Sequence, residues 1–209
     1  MAAVLSLADH PLVADRLRVL RDQTTGKAEF ARAMEHLSLL LAAKATELLR
    51  LTPVTVTTPI EATAASRLSD PVLLVPILRA GIGLLRGFEQ LLPEAKIAFV
   101  GAARDEKTLQ PTIYLDKIPA EIPAGTAVFL LDPMLATGHS ALAALDRLRV
   151  KGARGITLVS VLAAPEGIAA VQAARPEVTI ITAAVDRHLN GQGYIVPGLG
   201  DAGDRLFGC

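Results

Sequence analysis

Five short apolar runs, VLLVPIL (72–78), KIAFV (96–100), AVFLLD (127–132), GITLVSVLA (155–163) and VTIITAAV (178–185), recur along the chain between helix-patterned stretches. Runs this short, bounded by turn residues, read as strands buried on both faces. Strands that alternate with helices join into a parallel sheet through right-handed crossovers. Stretches 81–92, 139–150 and 165–174 carry the helical patterns, so the expected fold is α/β, a parallel sheet flanked by helices. Apolar content is even along the chain, which favours a single domain over residues 1–209. The chain is 51% apolar but only 3% aromatic, with no Trp, so its core must be built from Ala, Val, Leu and Ile. A parallel sheet covered on both faces uses such residues.

The flanking segments follow other patterns. Leu12, Val13, Leu17 and Leu20 recur at helical spacing, Thr24 to Gly26 interrupt, and Phe30, Met34, Leu37, Leu41, Ala45 and Leu48 resume it. Residues 1–50 are therefore expected as two helices, an arm that packs on the sheet or on another subunit. VTVT (54–57) alternates as a strand does. Residues 104–125 are charged and interrupted by prolines, which predicts a flexible arm leaving the sheet, with Thr112 to Leu115 as one strand of a protruding hairpin. The tail, 186–209, is punctuated by Gly191, Gly193, Gly198, Gly200, Gly203 and Gly208. Tyr194, Ile195, Val196, Leu199, Leu206 and Phe207 give it enough apolar surface to fold back on the body.

Twenty-one basic residues balance twenty-one acidic ones, so no net field favours nucleic acid or an anionic membrane. The one cysteine, Cys209, excludes an intrachain disulfide and fits a reducing compartment, with no chemical role expected for its thiol. No basic leader or membrane-spanning stretch is read, and the cytoplasm is the expected address. His10, His36 and His188 have no partners at metal-ligand spacing and read as surface or packing residues.

The segment AVFLLDPMLATGHSALAALDRL (127–148) joins a strand, an acid at its end, a turn of small residues and a helix. Thr137, Gly138, His139 and Ser140 fall where backbone N–H groups and hydroxyls at a helix start can surround a phosphate. Asp132 at the strand end can accept from sugar hydroxyls beside it. No lysine follows Gly138, so this is not a Walker loop, and a plain Asp-Pro turn with Ser or Thr caps fits the same residues. After VLLVPIL, Arg79, Ala80 and Gly81 offer a cation and closely approachable backbone for a diphosphate. GIGLLRG has the wrong spacing for a dinucleotide fingerprint, although Arg104 at the next strand end imitates an NADP contact. Arg104 also fits an exposed ion-pairing arginine, and Asp105, Glu106 and Lys107 read as a solvated turn.

DPMLATGHS (132–140) resembles the phosphoribosyl diphosphate loop of type I phosphoribosyltransferases, in the form found among uracil phosphoribosyltransferases. VPILRAGIGLL (75–85) is similar to that family's pyrophosphate loop and GAARDEKTLQP (101–111) to the start of its flexible arm. LAAPEG (162–167) looks like its helix-start motif and GYIVPGLGDAGDRLFG (193–208) like its uracil-binding tail, all in family order. The resemblance implies transfer of phosphoribosyl from 5-phospho-α-D-ribose 1-diphosphate to uracil, giving UMP and diphosphate. It assigns the sugar diphosphate to Arg79, Arg104, Asp132, Pro133, Met134, Leu135, Ala136, Thr137, Gly138, His139, Ser140 and Asp201. Of these, Arg79, Arg104, Asp132 and Asp201 take the catalytic roles. Uracil falls to Ile195, Gly200, Asp201 and Ala202, whose backbone groups would match its donor–acceptor edge and reject cytosine.

The resemblance further implies Mg²⁺ held mainly through the diphosphate, a GTP activator, and a homodimer or higher homo-oligomer. His139 departs from the glycine usual in the family, and the expectation is that the helix has begun there and the side chain points outward. Pro133 after Asp132 matches the uracil branch rather than the purine or orotate enzymes. Two alternatives stand beside this reading: a non-catalytic regulator that senses uracil nucleotides on the same fold, and a dinucleotide-dependent oxidoreductase.

Overall fold

The computed structural model describes residues 3–104 and 111–209. The chain opens on a strand, β1 (Val4–Ser6), followed by α1 (Pro11–Arg21) and α2 (Lys27–Thr46). The opening strand corrects the expectation of helices alone in residues 1–50. Val4, Leu5 and Ser6 pair in parallel with Ile180, Ile181 and Thr182, so the segment is extended because a sheet edge is there to receive it. Three residues carry no period of their own from which to read this. His10 caps α1, its Nδ1 accepting from the Leu12 N–H at 3.2 Å.

Next come β2 (Leu51–Thr57) and β3 (Ala62–Leu68), paired antiparallel as a separate two-stranded hairpin. The first apolar run forms β4 (Val72–Leu78) and leads into α3 (Ile82–Leu91). KIAFV divides into β5 (Lys96–Ile97) and the start of β6 (Val100–Arg104), which pairs antiparallel with β7 (Pro111–Asp116). The strand expected at Thr112 to Leu115 is thus present, but it extends the edge of the main sheet. Asp105, Glu106 and Lys107, read as a solvated turn, lie outside the described residues. The remaining elements are β8 (Ala127–Leu131), β9 (Met134–Leu135), α4 (His139–Val150), β10 (Gly155–Ala163), α5 (Pro165–Ala174), β11 (Thr179–Val185), β12 (His188–Leu189), β13 (Ile195–Val196) and α6 (Ala202–Phe207).

The main sheet runs β1-β11-β10-β8-β4-β6-β7, with β5 beside β4 and β9 beside β10. All its pairings are parallel except β6 with β7. The α/β expectation therefore holds. Alternation along β4 shows how one strand feeds two cores: Leu74 faces α1, α2, α3 and α6, while Leu73, Val75 and Ile77 face α4 and α5. Among the described residues, no helix is long and apolar enough to cross a membrane.

The glycine-rich tail is held by α1. Arg21 grips the buried carboxylate of Asp186 with two nitrogens, at 2.6 and 2.8 Å, and donates to the Gly198 carbonyl at 2.9 Å. Asp186 also accepts from the Gly198 N–H at 2.9 Å. Arg205 donates to the carbonyls of Leu20, Leu199 and Asp22 and lies 4.3 Å over the Phe30 ring. Removing one partner of a buried pair strands the other charge, at a cost of about 3–5 kcal/mol. Arg21→Ala is accordingly expected to lower the urea midpoint markedly and to loosen the tail first, seen as early amide exchange at 196–200. A midpoint equal to that of the parent chain would show that the pair does not hold the tail.

Candidate active site

At the carboxyl ends of β4 and β8 the two loops singled out in the sequence face one another across a cleft of about 290 Å³. Its walls include Leu78, Arg79 and Ala80 on one side, Asp132 and Met134–Ala141 on the other, and Gly193 and Asp201 from the tail. Parallel sheets bind ligands at this end because the loops after neighbouring strands diverge there.

The loop after β8 is built by backbone pairing. The Asp132 N–H donates to the Val159 carbonyl at 3.0 Å, and the Pro133 carbonyl accepts from Val161 and Leu162, each at 3.0 Å. This carries the chain into β9, where Met134 and Leu135 register against Leu162 and Ala163 of β10. The Leu135 carbonyl then accepts from Ala164 at 2.9 Å, just before α5. The loop is therefore anchored on the LAAPEG segment, where Gly167 lets α5 approach: a Cβ there would lie 2.3 Å from the Ala136 carbonyl oxygen.

Gly138 is the residue that turns the chain into α4, with φ of 82°. Residues with a Cβ are strained in that region, and glycine is not. His139 is the first helical residue and is exposed at the cleft wall, so the helix has begun there, as expected from the sequence. The first N–H groups of any α-helix lack intrahelical acceptors, and those of α4 open at this cleft with the hydroxyls of Thr137 and Ser140. Such an arrangement can hold an anion without a lysine.

Asp132 is half-buried at the cleft and accepts one weak backbone hydrogen bond, from Met134 at 3.4 Å. Burial raises its carboxyl pKa to about 7, opposed only in part by that bond. Arg79 follows β4 across a cis peptide bond, and the turn closes with the Gly81 N–H on the Ile77 carbonyl at 2.8 Å. Its guanidinium donates to Cys209 Sγ at 3.2 Å and to Asp204 Oδ1 at 2.8 Å. These contacts, the thiol first, raise the arginine's already high pKa further. The thiol given no role in the sequence reading thus touches the diphosphate-loop arginine.

Asp201 caps α6, its Oδ1 accepting from the Asp204 N–H at 2.9 Å. Of the residues assigned to the sugar diphosphate, Arg79, Asp132, Asp201 and Met134 through Ser140 line the cleft together. Pro133 does not: it is buried behind the loop, with its carbonyl spent on β10. Arg104 closes β6, the strand beside β4. Of the uracil set, only Asp201 lines this cleft. Ile195 is buried in β13, Gly200 is a positive-φ turn residue, and Ala202 is buried at the start of α6. Gly193, Ala102 and Ile77 line the cleft without having been singled out for it. Asp204 was also missed, although its position three residues after a capping acid places it on the first helical turn.

The family model described as uracil phosphoribosyltransferase matches residues 7–209. The chain belongs to that family. It is 50% identical to the uracil phosphoribosyltransferase of Beutenbergia cavernae over 206 residues, 97% of each protein. It is equally 50% identical to that of Kineococcus radiotolerans over 208 residues, 98% of each. Among solved structures, the AQ2163 protein from Aquifex aeolicus superposes with a TM-score of 0.90 at 36% identity, covering 98% of both chains. Its reaction is accordingly the family's pentosyl transfer, from 5-phospho-α-D-ribose 1-diphosphate to uracil, giving UMP and diphosphate. The family match lends nothing to the reading as a non-catalytic sensor.

Proposed function

We propose that this transfer takes place in the cleft between the Arg79 and Asp132 loops, with the 5-phosphate on the N-terminus of α4 and the diphosphate toward Arg79 and Arg104. The observation that supports this most is the convergence of Arg79, Asp132, Thr137–Ser140 and Asp201 on one concave surface. In this arrangement Asp132 accepts from ribose hydroxyls. Asp201, with one oxygen spent on its cap, turns the other toward the sugar or its metal. A uracil ring nitrogen displaces diphosphate, and charge grows on the leaving group as the glycosidic bond breaks. The guanidinium of Arg79 and the backbone amides are placed to stabilise it.

Mg²⁺ fits the donor set in one way only. No cluster of three His, Cys, Asp or Glu residues occurs among the described residues, so the ion would rest mainly on diphosphate oxygens, with Asp132 and Asp201 as the carboxylates at hand. Bound there, it supplies charge neutralisation for the leaving group. The half-buried Asp132 carboxyl, which accepts only one weak backbone bond, is the kind of group a cation would ionise.

Uracil is placed against the tail, with Ile195, Gly200, Asp201 and Ala202 as its readers. The β2–β3 hairpin supports the reading as a homo-oligomer, because almost all of its residues are exposed and Ile60 at its tip is 93% exposed. Isolated two-stranded hairpins are marginal in water, so a second copy is the natural cover. A GTP activator follows from the resemblance alone.

Incubating the chain with phosphoribosyl diphosphate, Mg²⁺ and each free base, with and without GTP, and then separating the nucleotides tests the reading. UMP is expected from uracil alone. IMP or GMP would remove the base assignment, and absence of any nucleotide would overturn the function.

A further inference from the structure

The Arg79 side chain is long and 57% exposed, yet its head is fixed by a helix from the far end of the sequence. Asp204 Oδ1 accepts from Nη2 at 2.8 Å, on α6. The backbone that carries this carboxylate is held at both ends. The Asp204 N–H is held by the Asp201 cap at 2.9 Å, and its carbonyl accepts from the Gly208 N–H at 2.7 Å. Ala202, Gly203 and Leu206 bury the inner face of α6. The guanidinium lies close over the start of this helix, since a Cβ built on Gly203 would be 3.8 Å from Arg79 Nη2 and 3.2 Å from Asp201 Oδ1.

We infer that Asp204 is a positioning residue for Arg79, holding the guanidinium at the cleft wall so that its remaining N–H groups meet the diphosphate. A guanidinium has five N–H donors. Asp204 and Cys209 each engage one nitrogen from the helix side, which leaves Nε–H and the second hydrogen of each Nη for the ligand. An arginine free in solvent must lose its rotamer freedom when it binds. Here two contacts already restrict that freedom in the resting chain and favour one orientation of the planar fork. Asp201 then has a second function beside its assigned one. By capping α6 it couples the sugar end of the cleft to the diphosphate end through a single turn of helix.

This inference rests on the proposed placement of the diphosphate at Arg79. The test is a double-mutant cycle on the full chain, with UMP formation followed at varied phosphoribosyl diphosphate and uracil. Asp204→Ala is expected to raise the KM for phosphoribosyl diphosphate about tenfold and to leave the uracil KM within twofold. Asp204→Glu, which keeps the carboxylate, is expected to recover most of the loss. In an Arg79→Ala background, Asp204→Ala is expected to change the same KM by less than twofold. An unchanged KM, or an equal loss in the Arg79→Ala background, would show that Asp204 does not act through Arg79. A parallel rise of both KM values with a lowered melting temperature would assign it to tail stability instead. If Asp204→Ala fails to fold, diphosphate product inhibition of Asp204→Asn decides, with about tenfold weaker inhibition supporting the tether and parent-like inhibition refuting it. Inactivity of the parent chain would count against the proposed function, not against this contact.

Discussion

Asp132→Asn is expected to remove most turnover and yet to make the ligand-free protein harder to unfold at pH 8. The native carboxyl has its pKa raised by burial from 3.8 to about 7. Between those values the folded chain binds more protons than the unfolded one, so stability falls as pH rises through the window and stays low above it. At pH 8 the fold therefore carries an ionised carboxylate in a half-buried position. The full shift of about 3 units corresponds to about 4 kcal/mol. Partial exposure of the side chain reduces this to roughly 1–3 kcal/mol, a rise of about 2–12 °C in Tm for a chain of this size. Turnover moves the other way, because an amide cannot offer the charge-assisted acceptor that the sugar hydroxyls and a cation would meet. A fall of about a hundredfold or more in kcat/KM is expected. Melting curves of both proteins from pH 3.5 to 8 check the stability half: they should meet near pH 4, separate as pH rises to about 7, and keep that separation above it. Curves that run parallel across the range would show that Asp132 carries no such cost. In rate measurements the parent chain should gain activity as pH rises through about 7, and the variant should lack that limb.

The same residue shows what the sequence could and could not reveal. An acid closing an apolar strand before a small-residue turn was enough to place Asp132 at the carboxyl end of a parallel sheet, where it stands. The helix starts at His139 and Pro165 were legible for a similar reason, since each follows a break in the apolar pattern. Contacts between segments distant in the chain were not legible. Nothing local marks Arg21 and Asp186 as partners 165 residues apart, or ties Arg79 to a carboxylate 125 residues further on. The β3 strand was missed because ATAASRL has no apolar alternation, and β1 because it is too short to have any. Both are extended through pairing, which is a property of the neighbour as much as of the segment. The uracil set was legible in a different way. Ile195 and Ala202 were assigned through their motif, and their side chains are buried within the tail, which leaves only backbone groups for a base to meet.

Gly167→Ala is expected to cost the enzyme about a hundredfold in kcat/KM for phosphoribosyl diphosphate, although residue 167 does not line the cleft. A Cβ at this position would lie 2.3 Å from the Ala136 carbonyl oxygen and 2.8 Å from that of Leu135. Both neighbours are backbone, so no side-chain rotation relieves the overlap. The Leu135 carbonyl is already committed to the Ala164 N–H at 2.9 Å, and the loop before it to β10. Either α5 must lift or the phosphate loop must shift toward the cleft, and displacements near 1 Å in a positioning loop cost about a hundredfold in rate. Overpacking of this kind takes about 1–3 kcal/mol from stability, too little to unfold a domain of ordinary stability, so far-UV circular dichroism should be retained. Gly155→Ala is the matched control, because its Cβ would meet nothing closer than the Thr126 carbonyl oxygen at 3.7 Å. It should leave activity within twofold. Because the strain falls on the loop proposed to take the 5-phosphate, the loss in Gly167→Ala should appear in the sugar-diphosphate KM and in kcat, with the uracil KM little changed. A Gly167→Ala enzyme as active as the Gly155→Ala control would mean that α5 yields and the phosphate loop is not braced by it.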